Sequence, residues 1–239
     1  MAKISILGIK IDKIDFKKTI LVISEFIKSK RPHQIVTVNP EFVMQAKKDK
    51  EFKNVLNHAD LSLADGMGIV WAAKILKKPA LSRISGTDLV YALAKLSSQN
   101  GYKIYLLGAQ EGIAARAISN LKKKYRKLKV VGFEAGSPYD LSTISRIKKA
   151  HPDILLVAFG APKQEKWIYK YKNSLGVPVM MGVGGAFDFI AEKVKRAPEK
   201  IRQAGFEWFY RLYKEPWRYK RQLSLIKFAV NILTQKTKK

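Results

Sequence analysis

The 239-residue sequence contains no cysteine and three histidines. The absence of cysteine excludes a disulfide scaffold, a thiolate-bound zinc or iron–sulfur centre and a cysteine nucleophile, and it fits a reducing compartment. So few histidines argue against a histidine-rich metal site. No apolar stretch approaches the ~20 residues that a membrane-spanning helix needs, and the N-terminus lacks the layout of a secretory signal peptide. We therefore expect a soluble or peripheral membrane protein.

Acidic residues are scarce, because 19 Asp and Glu face 46 Lys and Arg, which gives a formal net charge of +27. Such a charge favours polyanionic partners, namely nucleic acid, an anionic membrane surface or a phosphorylated substrate. Residues 193–239 hold 14 of the Lys and Arg but 3 of the acidic residues. The same segment contains the aromatic residues Trp208, Phe209, Tyr210, Tyr213, Trp217 and Tyr219. Aromatic and basic side chains together suit a membrane interface, a nucleic-acid strand or a docked partner.

Short apolar runs alternate with helical patterns along most of the chain. Continuous apolar runs are typical of parallel strands that helices cover on both faces. Strands are predicted at Ile4–Ile9, Gln34–Val38, Leu61–Ala64, Lys103–Leu107, Lys129–Gly132, Ile154–Phe159 and Val177–Val183. Helices are predicted at Phe16–Lys28, Pro40–Leu56, Ile69–Leu76, Asp88–Ser97, Ile113–Tyr125 and Lys163–Tyr171. The sequence therefore predicts an α/β fold with a Rossmann-like core, in which helices flank a mainly parallel sheet.

The pattern changes after Lys195, where the apolar spacing becomes purely helical. It predicts one helix from Pro198 to Tyr213, and a second that begins at Pro216, because proline is not tolerated inside a helix. The apolar part of the second helix, Leu223–Leu233, suits either the headgroup region of a membrane or packing on the core. We therefore divide the chain into a core, residues 1–195, and a basic helical appendage, residues 196–239.

Polar residues follow two of the predicted strands. Ligands of open α/β sheets bind beyond the carboxyl ends of the strands, and Thr37, Asn39 and Asp65 lie at such ends. Capping of the next helix is the favoured explanation of Thr37 and Asn39 taken alone, and a turn or a helix cap would also explain Asp65. An aspartate held above a sheet is also available as a general base.

Other candidate residues lie further along the chain. Gln164 is in the first turn of a predicted helix, where a turn alone does not require it, and Asp188 lies in an apolar, glycine-rich run where burial without a partner is costly. Arg83 precedes a helix, a position more typical of a surface residue. Three arginines of the appendage are spaced so that they could converge on a diphosphate, for which the planar guanidinium is well suited: Arg211, Arg218 and Arg221.

The segment Gly108–Gly112 leaves a further alternative open. Its glycines precede a helix and would let backbone N–H groups approach a phosphate. The segment lacks the full dinucleotide fingerprint and the acidic residue that accompanies it. A nucleotide-dependent oxidoreductase or a methyltransferase is therefore an alternative with weak support.

Six short blocks, taken together and in order, resemble the WecG/TagA/CpsF family of bacterial glycosyltransferases. They are Asn39–Val43, Ala59–Leu61 with Ala64–Gly66, Arg83–Leu89, Phe159–Glu165, Val183–Asp188 and Glu207–Leu212. The resemblance extends from about Ile6 to Phe228. The basic tail is similar to the membrane-targeting appendage of the N-acetylmannosaminyltransferases that begin wall teichoic acid linkage-unit synthesis. Glu192 is a departure, because many relatives have glycine there.

The resemblance implies an inverting transfer of a sugar from a UDP-sugar, with no essential metal or other cofactor. For the N-acetylmannosaminyltransferases the donor would be UDP-N-acetylmannosamine, and the acceptor would be N-acetylglucosamine on undecaprenyl diphosphate. The protein would then be cytoplasmic and peripheral on the inner face of the cell membrane, where the appendage binds the anionic surface and completes the active site. Another UDP-sugar donor, a homo-oligomer and a nucleic-acid-binding α/β protein are left open.

The resemblance also implies roles for individual residues. Asp65 would be the base that takes the proton from the acceptor hydroxyl. Thr37, Asn39 and Gln164 would orient the two sugars, and the arginines, Arg83 with those of the appendage, would stabilise the departing diphosphate. Asp188 would lie near the uracil, although a helix cap explains this residue nearly as well.

Overall fold

A six-stranded parallel sheet forms the centre of the computed structural model, which describes residues 2–203, 205–214 and 219–237. The strands are β1 (Lys3–Ile6), β2 (Ile9–Asp12), β3 (His33–Val38), β4 (Leu61–Ala64), β5 (Lys103–Gly108), β6 (Lys129–Glu134), β7 (Ile154–Ala158) and β8 (Val179–Gly182). Strands β3 to β8 pair in the order β4-β3-β8-β7-β5-β6, and every pair is parallel. The Rossmann-like α/β prediction is therefore confirmed.

Helices cover both faces of this sheet. They are α1 (Phe16–Ser29), α2 (Pro40–Ala46), α3 (Lys50–Asn57), α4 (Met67–Ile75), α5 (Gly86–Asn100), α6 (Ile113–Lys124), α7 (Ser142–Ala150), α8 (Lys163–Leu175), α9 (Ala186–Ile190), α10 (Glu199–Gln203), α11 (Glu207–Lys214) and α12 (Tyr219–Thr237). Helices α1, α5, α6 and α9 pack on one face, and the other helices of the core pack on the opposite face.

Neighbouring residues of the central strands pack into different hydrophobic clusters, one on each face of the sheet. Leu106 and Leu156 are buried against the first helical layer, whereas Leu107 and Val157 are buried against the second. Because both faces are covered, each strand reads as a continuous apolar run. This burial explains why the central strands could be recognised from the sequence.

The first predicted strand, Ile4–Ile9, is wrong. Leu7 and Gly8 both have positive φ angles, of 47° and 82°, so the chain reverses there and forms the antiparallel hairpin β1–β2. The buried isoleucines alternate with other residues along both arms of the hairpin. The second arm packs beside β4, and the hairpin lies outside the main sheet.

Two predicted helices are interrupted. Pro40–Leu56 is divided into α2 and α3, because Asp49 starts a new helix by accepting a hydrogen bond from the Phe52 N–H at 2.9 Å. Pro198–Tyr213 is divided into α10 and α11 around Gly205, whose φ is +85° and whose missing side chain leaves room for Met67. Pro216, the predicted start of the last helix, lies outside the described residues.

Helix α12 packs on the core through one of its faces. Phe228 and Ile232 are buried in the cluster that contains α2 and α4, and Lys47 donates a hydrogen bond to the Asn231 side chain. A second apolar row is about half exposed and comprises Leu223, Ile226, Val230 and Leu233. None of the helices in the described part of the chain combines the length and the apolar character needed to cross a bilayer. The division of the chain at residue 195 stays a prediction.

The two apolar rows of α12 allow a matched test of this docking. We expect Ile232→Ala to lower the free energy of unfolding by about 2–4 kcal/mol, because the side chain is 1% exposed and its loss leaves a cavity. Ile226→Ala removes the same atoms from a side chain that is 63% exposed, and it should change the free energy by less than about 0.5 kcal/mol. Urea unfolding measures both. Equal effects would show that α12 does not dock as described.

Candidate active site

A cavity of about 490 Å³ lies beyond the carboxyl ends of β3, β4 and β8. Five of the predicted site residues line it together: Thr37, Asn39, Asp65, Arg83 and Gln164. Its other end is apolar, and the residues there come from α4, α11 and α12: Met67, Trp71, Ile75, Trp208, Leu225, Phe228, Ala229 and Ile232. The cavity therefore joins a polar floor at the sheet to an apolar wall formed partly by the appendage.

Asp65 follows β4 directly, and its backbone N–H is tied to the carbonyl of Val38 on β3 at 2.8 Å. Burial raises the pKa of Asp65 to about 7, and the negative charge of Glu207 adds to the rise. A hydrogen bond from the Gly86 N–H and the positive charge of Arg83 oppose it. A carboxyl group that changes its charge near neutral pH is well matched to general-base chemistry.

Thr37 and Asn39 occupy the end of β3 beside Asp65. The Asn39 Oδ1 accepts the N–H of Phe42 at 3.0 Å and caps α2, so the capping explanation is confirmed. The side chain also lines the cavity. Thr37 is 7% exposed and lies against Gly86, where a side chain would crowd its hydroxyl. The sugar-binding roles of both residues stay predictions.

Arg83 belongs to a network of charges that joins the appendage to the core. Its guanidinium lies 3.4 Å from the Glu207 carboxylate and donates to the carbonyl of Arg202. Arg196 binds the other oxygen of Glu207 at 3.1 Å, Asp88 at 2.6 Å and the Ser85 hydroxyl at 3.2 Å. The loop before α5 and the start of α11 are therefore held together above the cavity.

Sequence reasoning missed Glu207 and Arg196 as parts of this site. Glu207 carried a signal, because it is an acidic residue in a strongly basic segment and opens one of the recognised blocks. Arg196 carried none, because its partners Asp88 and Ser85 are more than a hundred positions away along the chain.

Gln164 lies between two loops at the floor of the cavity. Its side-chain Oε1 accepts the N–H groups of Gly160 and Gly184, each at 3.1 Å. Its Nε2 donates to the carboxylate of Glu165 at 2.6 Å. The residue thus has defined protein partners on both ends of its amide, and its sugar-orienting role stays a prediction.

A second cavity, of about 1150 Å³, lies beyond the carboxyl ends of β5, β6 and β7. Asp188 lines this cavity together with four lysines: Lys163, Lys193, Lys195 and Lys214. Asp188 is therefore separated from the five residues of the first cavity. The two cavities share a wall, because Gly160, Gly184 and Gly185 line both.

The three arginines predicted to contact a diphosphate, Arg211, Arg218 and Arg221, have no described side chains. Arg211 is on α11 and Arg221 is on α12, but both side chains, and the whole of Arg218, lie outside the described residues. Their predicted contact with a diphosphate stays a prediction.

The glycine segment after β5 has a structural explanation. A side chain at Gly108 would overlap the backbone of Ala158 and the ring of Phe159, so glycine allows β5 and β7 to end side by side. Gly112 begins α6 with a φ of +76°, which glycine adopts at no steric cost. These requirements account for the two glycines without a bound nucleotide.

Comparison with known proteins identifies the family of the chain. A sequence model of the glycosyl transferase WecG/TagA/CpsF family matches residues 4–239. The chain belongs to this family. It is therefore a member of a glycosyltransferase family, and the match covers both the α/β core and the basic tail.

Two similar relatives carry the name N-acetylglucosaminyldiphosphoundecaprenol N-acetyl-beta-D-mannosaminyltransferase. The protein of Bacillus subtilis (strain 168) is 35% identical over 206 residues, which cover 86% of this chain and 80% of the relative. The protein of Staphylococcus aureus (strain MW2) is 34% identical over 243 residues, which cover 99% of this chain and 94% of the relative.

The electrostatics of Asp65 can be tested by a titration. A pH titration followed by ¹³C NMR should show that the carboxyl carbon of Asp65 titrates with a pKa near 7. In Glu207→Gln the midpoint should move to lower pH, because the loss of a nearby negative charge favours the ionised form of Asp65. Glu25→Gln, which removes a surface charge from α1, is the control and should leave the midpoint unchanged. An ordinary aspartate midpoint in the wild type would contradict the assignment.

Proposed function

We propose that the protein is an inverting glycosyltransferase that moves N-acetylmannosamine from UDP-N-acetylmannosamine to N-acetylglucosamine on undecaprenyl diphosphate. One observation carries the proposal: Asp65, a carboxyl group whose pKa burial raises to about 7, lines a cavity that is polar at one end and apolar at the other. Family membership and the shared name of the relatives support the donor sugar and the acceptor.

Asp65 would act on the acceptor hydroxyl. Its carboxylate takes the hydroxyl proton while the acceptor oxygen forms a bond to the anomeric carbon of the donor sugar. The bond from that carbon to the diphosphate breaks at the same time, and UDP leaves with the electron pair. Attack from the face opposite the leaving group inverts the configuration, which agrees with the beta linkage in the relatives' name.

The second cavity suits the donor nucleotide. Its four lysines would offset the charge that develops on the departing diphosphate, and the Asp188 carboxylate could accept an N–H of the uracil. With the donor in this cavity and the acceptor in the first, the transferred sugar would cross the shared glycine wall. We propose that these cations allow the transfer to proceed without a metal ion.

Arg83 would change partners during the reaction. Its guanidinium pairs with Glu207 and lines the first cavity. The diphosphate of an acceptor that enters this cavity would therefore compete with the Glu207 carboxylate for the positive charge of Arg83. Because a planar guanidinium binds carboxylate and phosphate oxygens alike, the exchange keeps Arg83 paired throughout.

The apolar end of the first cavity suits the lipid part of the acceptor. A prenyl chain attached to the diphosphate would leave the polar floor and pass between α4 and α12, along Trp71 and Leu225. The half-exposed apolar row of α12 and the basic residues of the appendage would rest on the anionic inner face of the membrane, where each Lys or Arg contributes about 1 kcal/mol. The protein would thus be peripheral to the cytoplasmic membrane.

The proposed chemistry is tested by a product assay. Wild-type protein with UDP-N-acetylmannosamine and a short-chain prenyl-diphosphate-GlcNAc should form the disaccharide lipid, with activity retained in EDTA. Asp65→Asn should lower kcat by about 10²–10⁴-fold and leave the urea unfolding midpoint equal or higher, because it removes a carboxyl group whose ionised form is disfavoured by burial in the folded protein. Full activity of this variant would remove the base assignment. If product formed with UDP-N-acetylglucosamine and not with UDP-N-acetylmannosamine, the proposed donor would be wrong, but the protein would still be a glycosyltransferase.

Membrane binding is tested on the exposed row of α12. The double variant Ile226→Asp/Val230→Asp should lower binding to phosphatidylglycerol-containing vesicles at least about tenfold, because each buried aliphatic side chain contributes about 1.5–3 kcal/mol. Leu21→Asp, at an exposed apolar residue of α1, is the matched control. Equal co-sedimentation of the double variant and the control would show that this row does not contact the membrane.

A further inference from the structure

Two buried polar side chains head α8. Gln164 is 2% exposed and Glu165 is 1% exposed, and the Gln164 Nε2 donates to a carboxylate oxygen of Glu165 at 2.6 Å. Glu165 has no part in the proposed chemistry. A buried carboxylate is costly unless it is paired and hydrogen-bonded, so this pair needs an explanation.

The Gln164 carbonyl oxygen joins two loops that come from different strands. Gly160 follows β7 and Gly184 follows β8, and both donate their backbone N–H groups to this single oxygen at 3.1 Å. Both glycines lie beyond the ends of their strands and have positive φ angles, of 78° and 49°. The Gln164 side chain thus supplies the hydrogen bond that the sheet does not.

The carboxylate of Glu165 determines which way the Gln164 amide points. An amide has a donating and an accepting end, and a carboxylate only accepts. A reversed amide would place its carbonyl oxygen against the Glu165 carboxylate and its NH₂ group against two N–H donors. Both contacts would be unfavourable, so Glu165 holds the carbonyl of Gln164 toward the glycines.

Gly182 provides the space for this pair. A side chain at the end of β8 would lie 2.5 Å from the Glu165 Oε1 and 2.6 Å from the Gln164 Nε2. The sequence therefore leaves room at this position for the two side chains to meet.

We infer that Glu165 is a positioning residue that, through the amide of Gln164, holds the β7–α8 and β8–α9 loops together as the wall between the two cavities. The geometric part of this inference stands by itself, and its catalytic consequence rests on the proposed function. The sugar that passes from one cavity to the other would be placed by this wall, and a misplacement of about 1 Å can cost a hundredfold in rate.

A charge swap tests the inference. Gln164→Glu places two carboxylates side by side, whereas Gln164→Glu/Glu165→Gln restores one donor and one acceptor. In the double variant the carboxylate at position 164 accepts the two glycine N–H groups and the NH₂ group at position 165. At pH 8.5 the single carboxylate of the wild-type pair is mostly ionised, since burial raises the pKa of Glu165 to about 7. The two adjacent carboxyl groups of Gln164→Glu instead repel each other when both are ionised.

Hydrogen exchange and kcat together distinguish a positioning role of this pair from a direct contact of Gln164 with the substrate. Hydrogen exchange at the Gly160 and Gly184 amides, followed by NMR, should be at least tenfold faster in Gln164→Glu and return to within about threefold of the wild type in the double variant. The kcat of sugar transfer should fall at least tenfold in the single variant and recover in the double variant, with the KM values changing less than kcat.

Some results would overturn the inference. Unchanged exchange and unchanged kcat in Gln164→Glu would show that the Glu165 carboxylate does not position the side chain at 164. A double variant with restored exchange but no recovered kcat would show that Gln164 acts by contacting the substrate instead. If the wild type transfers no sugar while the exchange rates follow the pattern above, the proposed function fails and the positioning role of Glu165 stands.

Discussion

The carboxylate of Glu207, shared between Arg83 and Arg196, is the contact on which the candidate site depends. It fixes the start of α11 against the loop that precedes α5, and so it holds part of the apolar wall over the ends of the strands. It also places a negative charge close enough to Asp65 to raise the pKa of that residue further. These ionic groups are 17–36% exposed, and removing one member of such a network leaves its partners charged and poorly solvated.

The carboxyl edge of the sheet presents two environments rather than one. Above β3 and β4 the surface combines a carboxyl group with small polar side chains and an apolar wall, whereas above β5 and β6 it is rich in lysine. An amphiphilic molecule fits the first environment and a polyanion fits the second. The proposed transfer from a nucleotide donor to a lipid acceptor would make use of this separation and of the shared glycine wall.

Much of the fold could be predicted, because burial on both faces produces apolar runs such as Ile154–Ala158 that identify the strands. Thr37 and Asp65 could be placed as well, since residues at the ends of adjacent parallel strands must lie close together. The hairpin turn at Gly8 could not be predicted, because its flanking residues are apolar on both sides. Nor could the bridge made by Arg196, since an ion pair between distant segments depends on the tertiary path of the chain and leaves no periodic signal.

The lack of a side chain at Gly182 limits which substitutions this protein can accept during evolution. The two side chains at the head of α8 fill the volume that a β-carbon would need, so positions 164, 165 and 182 share one packing constraint although they lie on different elements. A larger residue at the end of β8 becomes acceptable only after one of the other two has shortened. Substitutions at these three positions should therefore be inherited as a set, and a homologue in which one of them differs should carry a compensating change at another.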